Sequence, residues 1–110
     1  MSTFSGYRFM WMMVMFDLPV LTKRQRKTAT KFRNDLLDLG FEMAQYSVYM
    51  KFCGGRPAAD ALSGRVERHV PADGHVSILV FTDKQYGRMR VFSGGTREAQ
   101  KSERGQLILL

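Results

Sequence analysis

Hydrophobic and polar positions along this chain divide it into a short series of elements. From Arg8 to Phe16 (RFMWMMVMF) both alternate sets are apolar. Phe9, Trp11, Met13 and Met15 would face one way, and Met10, Met12, Val14 and Phe16 the other. A strand with one wet face alternates apolar with polar, so this run predicts a strand buried on both faces. Asp17-Leu18-Pro19 ends it, because proline cannot donate to a ladder. Thr22 is the predicted N-cap of a helix from Thr22 to Leu39, with Ala29, Phe32, Leu36 and Leu39 inward and Gly40 as the C-terminal cap. Phe41 to Gln45 and Ser47 to Cys53 read as two strands of a hairpin turning at Gln45-Tyr46-Ser47, and Gly54-Gly55 breaks the chain. A second helix is predicted from Arg56 to Val70, with Pro57 near its start and Ala58, Ala59, Leu62 and Val66 inward. Pro71-Ala72-Asp73-Gly74 is a turn, His75 to Thr82 a strand, and Val91-Phe92 a further short strand. Met1 to Tyr7 reads as a loose lead-in, Thr96 to Gly105 is polar, and Gln106 to Leu110 is apolar.

The order strand, helix, strand, strand, helix, strand is that of the split βαβ unit. The predicted fold class is α+β: a ferredoxin-like βαββαβ with a four-stranded antiparallel sheet. Right-handed crossovers place both helices on one face. Residues 1–95 are expected to form this domain. Residues 96–110 are expected to form a C-terminal segment whose Gln106 to Leu110 adds an edge strand, docked on a partner subunit. The uncovered sheet face, lined by one side of a doubly apolar strand, predicts a homodimer.

The chain has 110 residues, 45% of them hydrophobic, which suits one globular domain. Its longest apolar run, Phe9 to Phe16, is eight residues, against the ~20 of a transmembrane helix. Asp17-Leu18-Pro19 stands where a signal peptide would need small residues for cleavage. A cytoplasmic protein with no membrane partner is expected. Cys53 is the single cysteine, which excludes an internal disulfide and a Cys-cluster zinc site, and it reads as a small buried hydrophobe. No phosphate-binding glycine loop, nucleophile triad or RNP1-type motif occurs.

Charge adds a partner to this picture. Lys plus Arg total 17 against 10 acidic residues, a net +7. Lys23, Arg24, Arg26, Lys27, Lys31 and Arg33 put six positive charges and no acid between Thr22 and Arg33. Lys84, Arg88, Arg90 and Arg97 form a second acid-free run. Such a surface suits a phosphate backbone, since each neutralised phosphate releases counterions. The alternative is a solvated helix face that keeps the protein soluble. Asp17 follows directly on the apolar strand. One carboxylate is a poor Mg²⁺ site, but two copies across a homodimer axis would supply two and leave water positions for a nucleophile. The alternative is a turn aspartate that caps its own loop.

Phe16 to Phe41 (FDLPVLTKRQRKTATKFRNDLLDLGF), followed by Gln45 to Cys53 (QYSVYMKFC), resembles the CRISPR-associated Cas-two family, and most nearly its type II branch. The shared pieces are the apolar strand ending in Asp17, the Arg-rich helix with Lys31-Phe32-Arg33, Gly40-Phe41, and Gln45-x-Ser47-Val48-Tyr49. The resemblance implies a ferredoxin-like homodimer acting as a metal-dependent endonuclease on RNA or double-stranded DNA. It also implies a non-catalytic role in spacer acquisition, bridging two dimers of the Cas-one integrase. Asp17 matches the family's metal-binding, catalytic aspartate, with Mg²⁺ as the implied cofactor. Arg26 and Arg33 match its recurrent helix arginines. Two stretches depart from other branches: Leu18-Pro19 after Asp17 departs from their common Asp-Ile or Asp-Val sequence, and Lys51-Phe52-Cys53 stands where they often supply an acidic residue. An unrelated ferredoxin-like RNA binder is the remaining alternative, and the missing RNP1 motif argues against it.

Overall fold

The computed structural model describes residues 9–94. Among them the chain forms β1 (Met10–Asp17), α1 (Lys23–Asp38), β2 (Glu42–Gln45), β3 (Val48–Gly54), α2 (Arg56–Glu67), β4 (His75–Thr82) and a short α3 (Asp83–Gly87). The four strands make one sheet in the order β2-β3-β1-β4, and every neighbouring pair is antiparallel. This is the α+β, ferredoxin-like arrangement expected from the pattern. The lead-in and the Gln106 to Leu110 edge strand lie outside the described residues.

Local chemistry accounts for the main boundaries. Thr22 caps α1 as expected: its hydroxyl accepts from Gln25 N–H at 3.0 Å, while the Gln25 side chain accepts from Thr22 N–H at 3.0 Å. Gly40, just past the α1 cap, has φ +100°, which glycine adopts without strain. The hairpin between β2 and β3 turns where predicted, with Ser47 at φ 64°. Pro57 stands in the first turn of α2. Ala59, Leu62 and Val66 are buried from that helix, whereas Ala58, also expected inward, is exposed. The last predicted strand, Val91-Phe92, does not form. The chain instead turns into α3 at once after β4, capped by a reciprocal Thr82–Gln85 pair.

Core packing lies on one side of the sheet. Met12, Val14 and Phe16 of β1 meet Phe32 and Leu36 of α1 and Leu62 and Val66 of α2. Phe16 stands edge-on to Phe32 at 5.1 Å between ring centroids, and Tyr49 of β3 stacks at 5.7 Å on its other flank. Trp11, Met13 and Met15 project from the opposite face and are only half-buried. The expectation that both faces of β1 are buried therefore holds for one face in the single chain.

Candidate metal and nucleic-acid site

Asp17 is the last residue of β1 and shares with Met15, Met13 and Trp11 the face the helices leave open. It is exposed, and its side chain makes no hydrogen bond or ion pair among the described residues. The backbone around it is tightly held. Phe16 N–H donates to Ser47 C=O at 3.1 Å. The turn before β4 lies so close that a Cβ on Gly74 (φ +91°) would come within 2.7 Å of the Asp17 carbonyl oxygen. Only glycine fits there, so the turn fixes the end of β1 against the start of β4.

No three His, Cys, Asp or Glu side chains gather as a metal cluster among the described residues. At the end of β1 stands one hard carboxylate, that of Asp17. Mg²⁺ keeps several waters and takes one or two carboxylates, so an exposed, unpaired Asp17 fits that ion as half of a shared site. Lys51 and Cys53 do not face it. They share the face of buried Tyr49, toward the helices. The Lys51 ammonium lies against Gly40, within 2.9 Å of where a Cβ would be. It places a cation at the C-terminal end of α1, whose own last turn holds no basic residue. Burial pushes the Cys53 thiol up, with the Lys51 charge opposing, so this cysteine is a poor nucleophile. Burial likewise raises Tyr49, against the pull of Arg33.

The six predicted basic residues lie on α1 but are not equivalent. Lys23, Arg26, Lys27 and Lys31, with Thr30 and Asn34 between them, line a shallow groove of about 440 Å³ along the outer face of the helix. Arg24 and Arg33 flank this stripe on either side. Arg26 donates through Nη1 to the carbonyls of Val20 and Leu21 at 3.2 and 3.1 Å, bracing the loop that follows Asp17. Lys31 pairs with Asp35 at 3.1 Å, and Arg33 donates to the Thr30 hydroxyl at 3.1 Å. Lys23, Arg24 and Lys27 make no such contact among the described residues. Thr30 and Asn34 were not legible as site residues, since polar positions between lysines look like ordinary helix surface. The first turn of α1 contains no acid, so no side chain there offsets the positive end of the helix beside Lys23, Arg24 and Arg26.

A family model for CRISPR associated protein Cas2 matches residues 10–89. A CRISPR-associated endoribonuclease Cas2 of Paracidovorax avenae is 57% identical over 99 residues, 89% of this chain and 92% of that one. This chain belongs to the Cas2 family. A protein of the same name from Parvibaculum lavamentivorans is 43% identical and covers 91% of this chain and 99% of its own length. One from Flavobacterium psychrophilum is also 43% identical, over 80% of this chain and 76% of that one. A crystal structure of a Cas2 superposes with a TM-score of 0.56 over 93% of this chain and 98% of its own, at 19% identity, which speaks for the fold. Family membership removes the unrelated RNA binder from consideration. Among the described residues no helix is long and apolar enough to cross a membrane.

Proposed function

We propose that this chain is a homodimeric endonuclease that binds nucleic acid over α1 and hydrolyses phosphodiester bonds with Mg²⁺ held between two Asp17 carboxylates. The position of Asp17 carries the reading: an exposed carboxylate, unpaired among the described residues, at the end of an open apolar face. Joining two copies through that face would cover Phe9, Phe52 and Leu79, now 42%, 45% and 49% exposed. Full burial of such side chains is worth roughly 1.5–3 kcal/mol each. The same contact would bring two Asp17 carboxylates to one interface. A divalent ion there supplies positive charge to the phosphate and lowers the pKa of a bound water. Lys23, Arg24 and Lys27 neutralise neighbouring phosphates, and Arg26 holds the loop after Asp17 in place.

RNA as a substrate is supported by the relatives' designation as endoribonucleases. The basic groove suits double-stranded DNA equally, because phosphate contacts position a protein without reading sequence. Cleavage of both substrates by wild type and Asp17→Asn, each with Mg²⁺ and with EDTA, tests the reading. Activity should fall by orders of magnitude in the variant and in EDTA, with nucleic-acid binding retained. Equal activity in wild type and variant would remove Asp17 from the mechanism.

A second reading is favoured by Lys51, which stands where other branches often carry an acidic residue and lies on the helix side of the sheet. In it the protein is a non-catalytic adaptor that holds duplex DNA and bridges two dimers of the Cas-one integrase during spacer acquisition. Asp17→Asn would then leave integration unchanged. Both readings place the protein in the cytoplasm, with CRISPR arrays and their transcripts.

A further inference from the structure

The strand register sets one more metal-binding side chain beside Asp17. Along β1 and β4, Trp11 opposes Phe81, Met13 opposes Leu79, Met15 opposes Ser77, and Asp17 opposes His75. These residues alternate with Val76, Ile78 and Val80, which lie against the core, so His75 and Asp17 share the open face. Both are exposed, and neither makes an ion pair among the described residues. The other histidine, His69, is already engaged, with Nδ1 3.2 Å from an Asp35 carboxylate oxygen.

Directly opposed residues in an antiparallel pair hold their Cβ atoms about 4.5–5.5 Å apart. Bonds of about 2.0–2.2 Å from a metal to an imidazole nitrogen and a carboxylate oxygen span such a gap from both sides. The juxtaposition is rigid: Gly74, the residue before His75, fits against the Asp17 carbonyl only because it lacks a Cβ. The electrostatics agree. Lys51 is the only Lys or Arg in the four strands, and it lies on the helix side.

We propose that His75 is a second ligand, through an imidazole nitrogen, to the divalent ion at Asp17. The proposal rests on the reading of Asp17 as a metal ligand and changes which metal the site selects. An imidazole nitrogen beside a carboxylate moves preference from Mg²⁺ toward first-row transition ions. Each chain then offers an N,O pair, which would partly offset the shortage of carboxylates.

Mn²⁺ is the probe, added to tag-free protein without substrate. Calorimetry gives the affinity, and pulsed electron paramagnetic resonance detects coupling from a ligated imidazole ¹⁴N. Wild type should bind Mn²⁺ more tightly than Mg²⁺ and show the ¹⁴N coupling. His75→Ala and His75→Gln should lose the coupling and weaken Mn²⁺ by at least about tenfold, the lower end of the loss seen when outer-shell partners of a metal site are removed. Mg²⁺ affinity should change by no more than about twofold, since that ion takes oxygen ligands. His69→Ala should retain the coupling. If Asp17→Asn abolishes Mn²⁺ binding while both His75 variants keep affinity and coupling, the His75 assignment is overturned and Asp17 stands. Coupling lost in His69→Ala but kept in His75→Ala would move the ion to Asp35 and overturn the assignment. Mn²⁺ binding untouched by Asp17→Asn would overturn both readings.

Discussion

The two faces of this sheet are built from the same strands and have opposite fates. Met10, Met12, Val14 and Phe16 are no more than 8% exposed beneath the helices. Trp11, Met13 and Met15, their alternates in the same strand, are only half-buried. Composition does not cause the difference, since both sets are apolar. Coverage does: right-handed crossovers send both helices to one side. The open face is itself uneven. At one end Trp11 stacks on Tyr86 at 3.7 Å, donates to the Asp83 carboxylate at 2.7 Å and meets Phe52 edge-on at 5.5 Å. At the other end stand Asp17 and His75. An apolar surface ending in a carboxylate and an imidazole is poorly suited to solvent and well suited to a second copy with a metal between them.

Substitutions on the two faces should therefore fail in different ways. The largest loss is expected on the covered face. Phe32→Ala removes a ring that is 1% exposed and should cost about 3–5 kcal/mol of stability in urea unfolding. A loss below about 1 kcal/mol would mean that α1 packs less tightly than its burial indicates. Leu79→Glu, on the open face, should leave the circular dichroism spectrum of the fold intact. It should halve the mass seen by light scattering, because the new charge would be buried in the dimer. A variant that still scatters as a dimer would place the contact elsewhere. The smallest effect belongs to the outer side of α1, away from both sheet faces. Lys23→Ala with Lys27→Ala should flatten the salt dependence of duplex binding by roughly 0.9 log units per lost contact. Arg26→Ala should flatten it less, because its Nη1 is bonded to the Val20 and Leu21 carbonyls. An unchanged slope in the double variant would remove the groove from nucleic-acid binding.

Much of the fold was legible in local pattern. β4 and the end of β1 stand where alternation and proline chemistry put them, and Thr22 and Gly40 cap α1 by their own side-chain and backbone chemistry. Short-range signals failed where the element was too short for periodicity. The five residues of α3 show no apolar stripe, and the Thr82–Gln85 capping pair was the one sign of it. Asp17 was legible from its place after an apolar strand. His75 was not, because its relation to Asp17 exists only once β1 and β4 are in register. Nor could sequence show that Arg26 spends its Nη1 on the carbonyls of its own loop.

The account depends on two Asp17 residues meeting across the open face, and a cross-link reads that directly. Cys53→Ser removes the native thiol, and Asp17→Cys places one thiol on each chain at the proposed axis. Two carboxylates that share one ion hold their Cα atoms farther apart than the about 4.4–6.8 Å of a disulfide, so a short bifunctional thiol reagent is used to span the gap. It should convert the doubly substituted protein to a covalent dimer on a denaturing gel, and Leu79→Glu added to it should abolish the product. A protein that stays monomeric on that gel while scattering as a dimer in solution would contradict the shared Asp17 site.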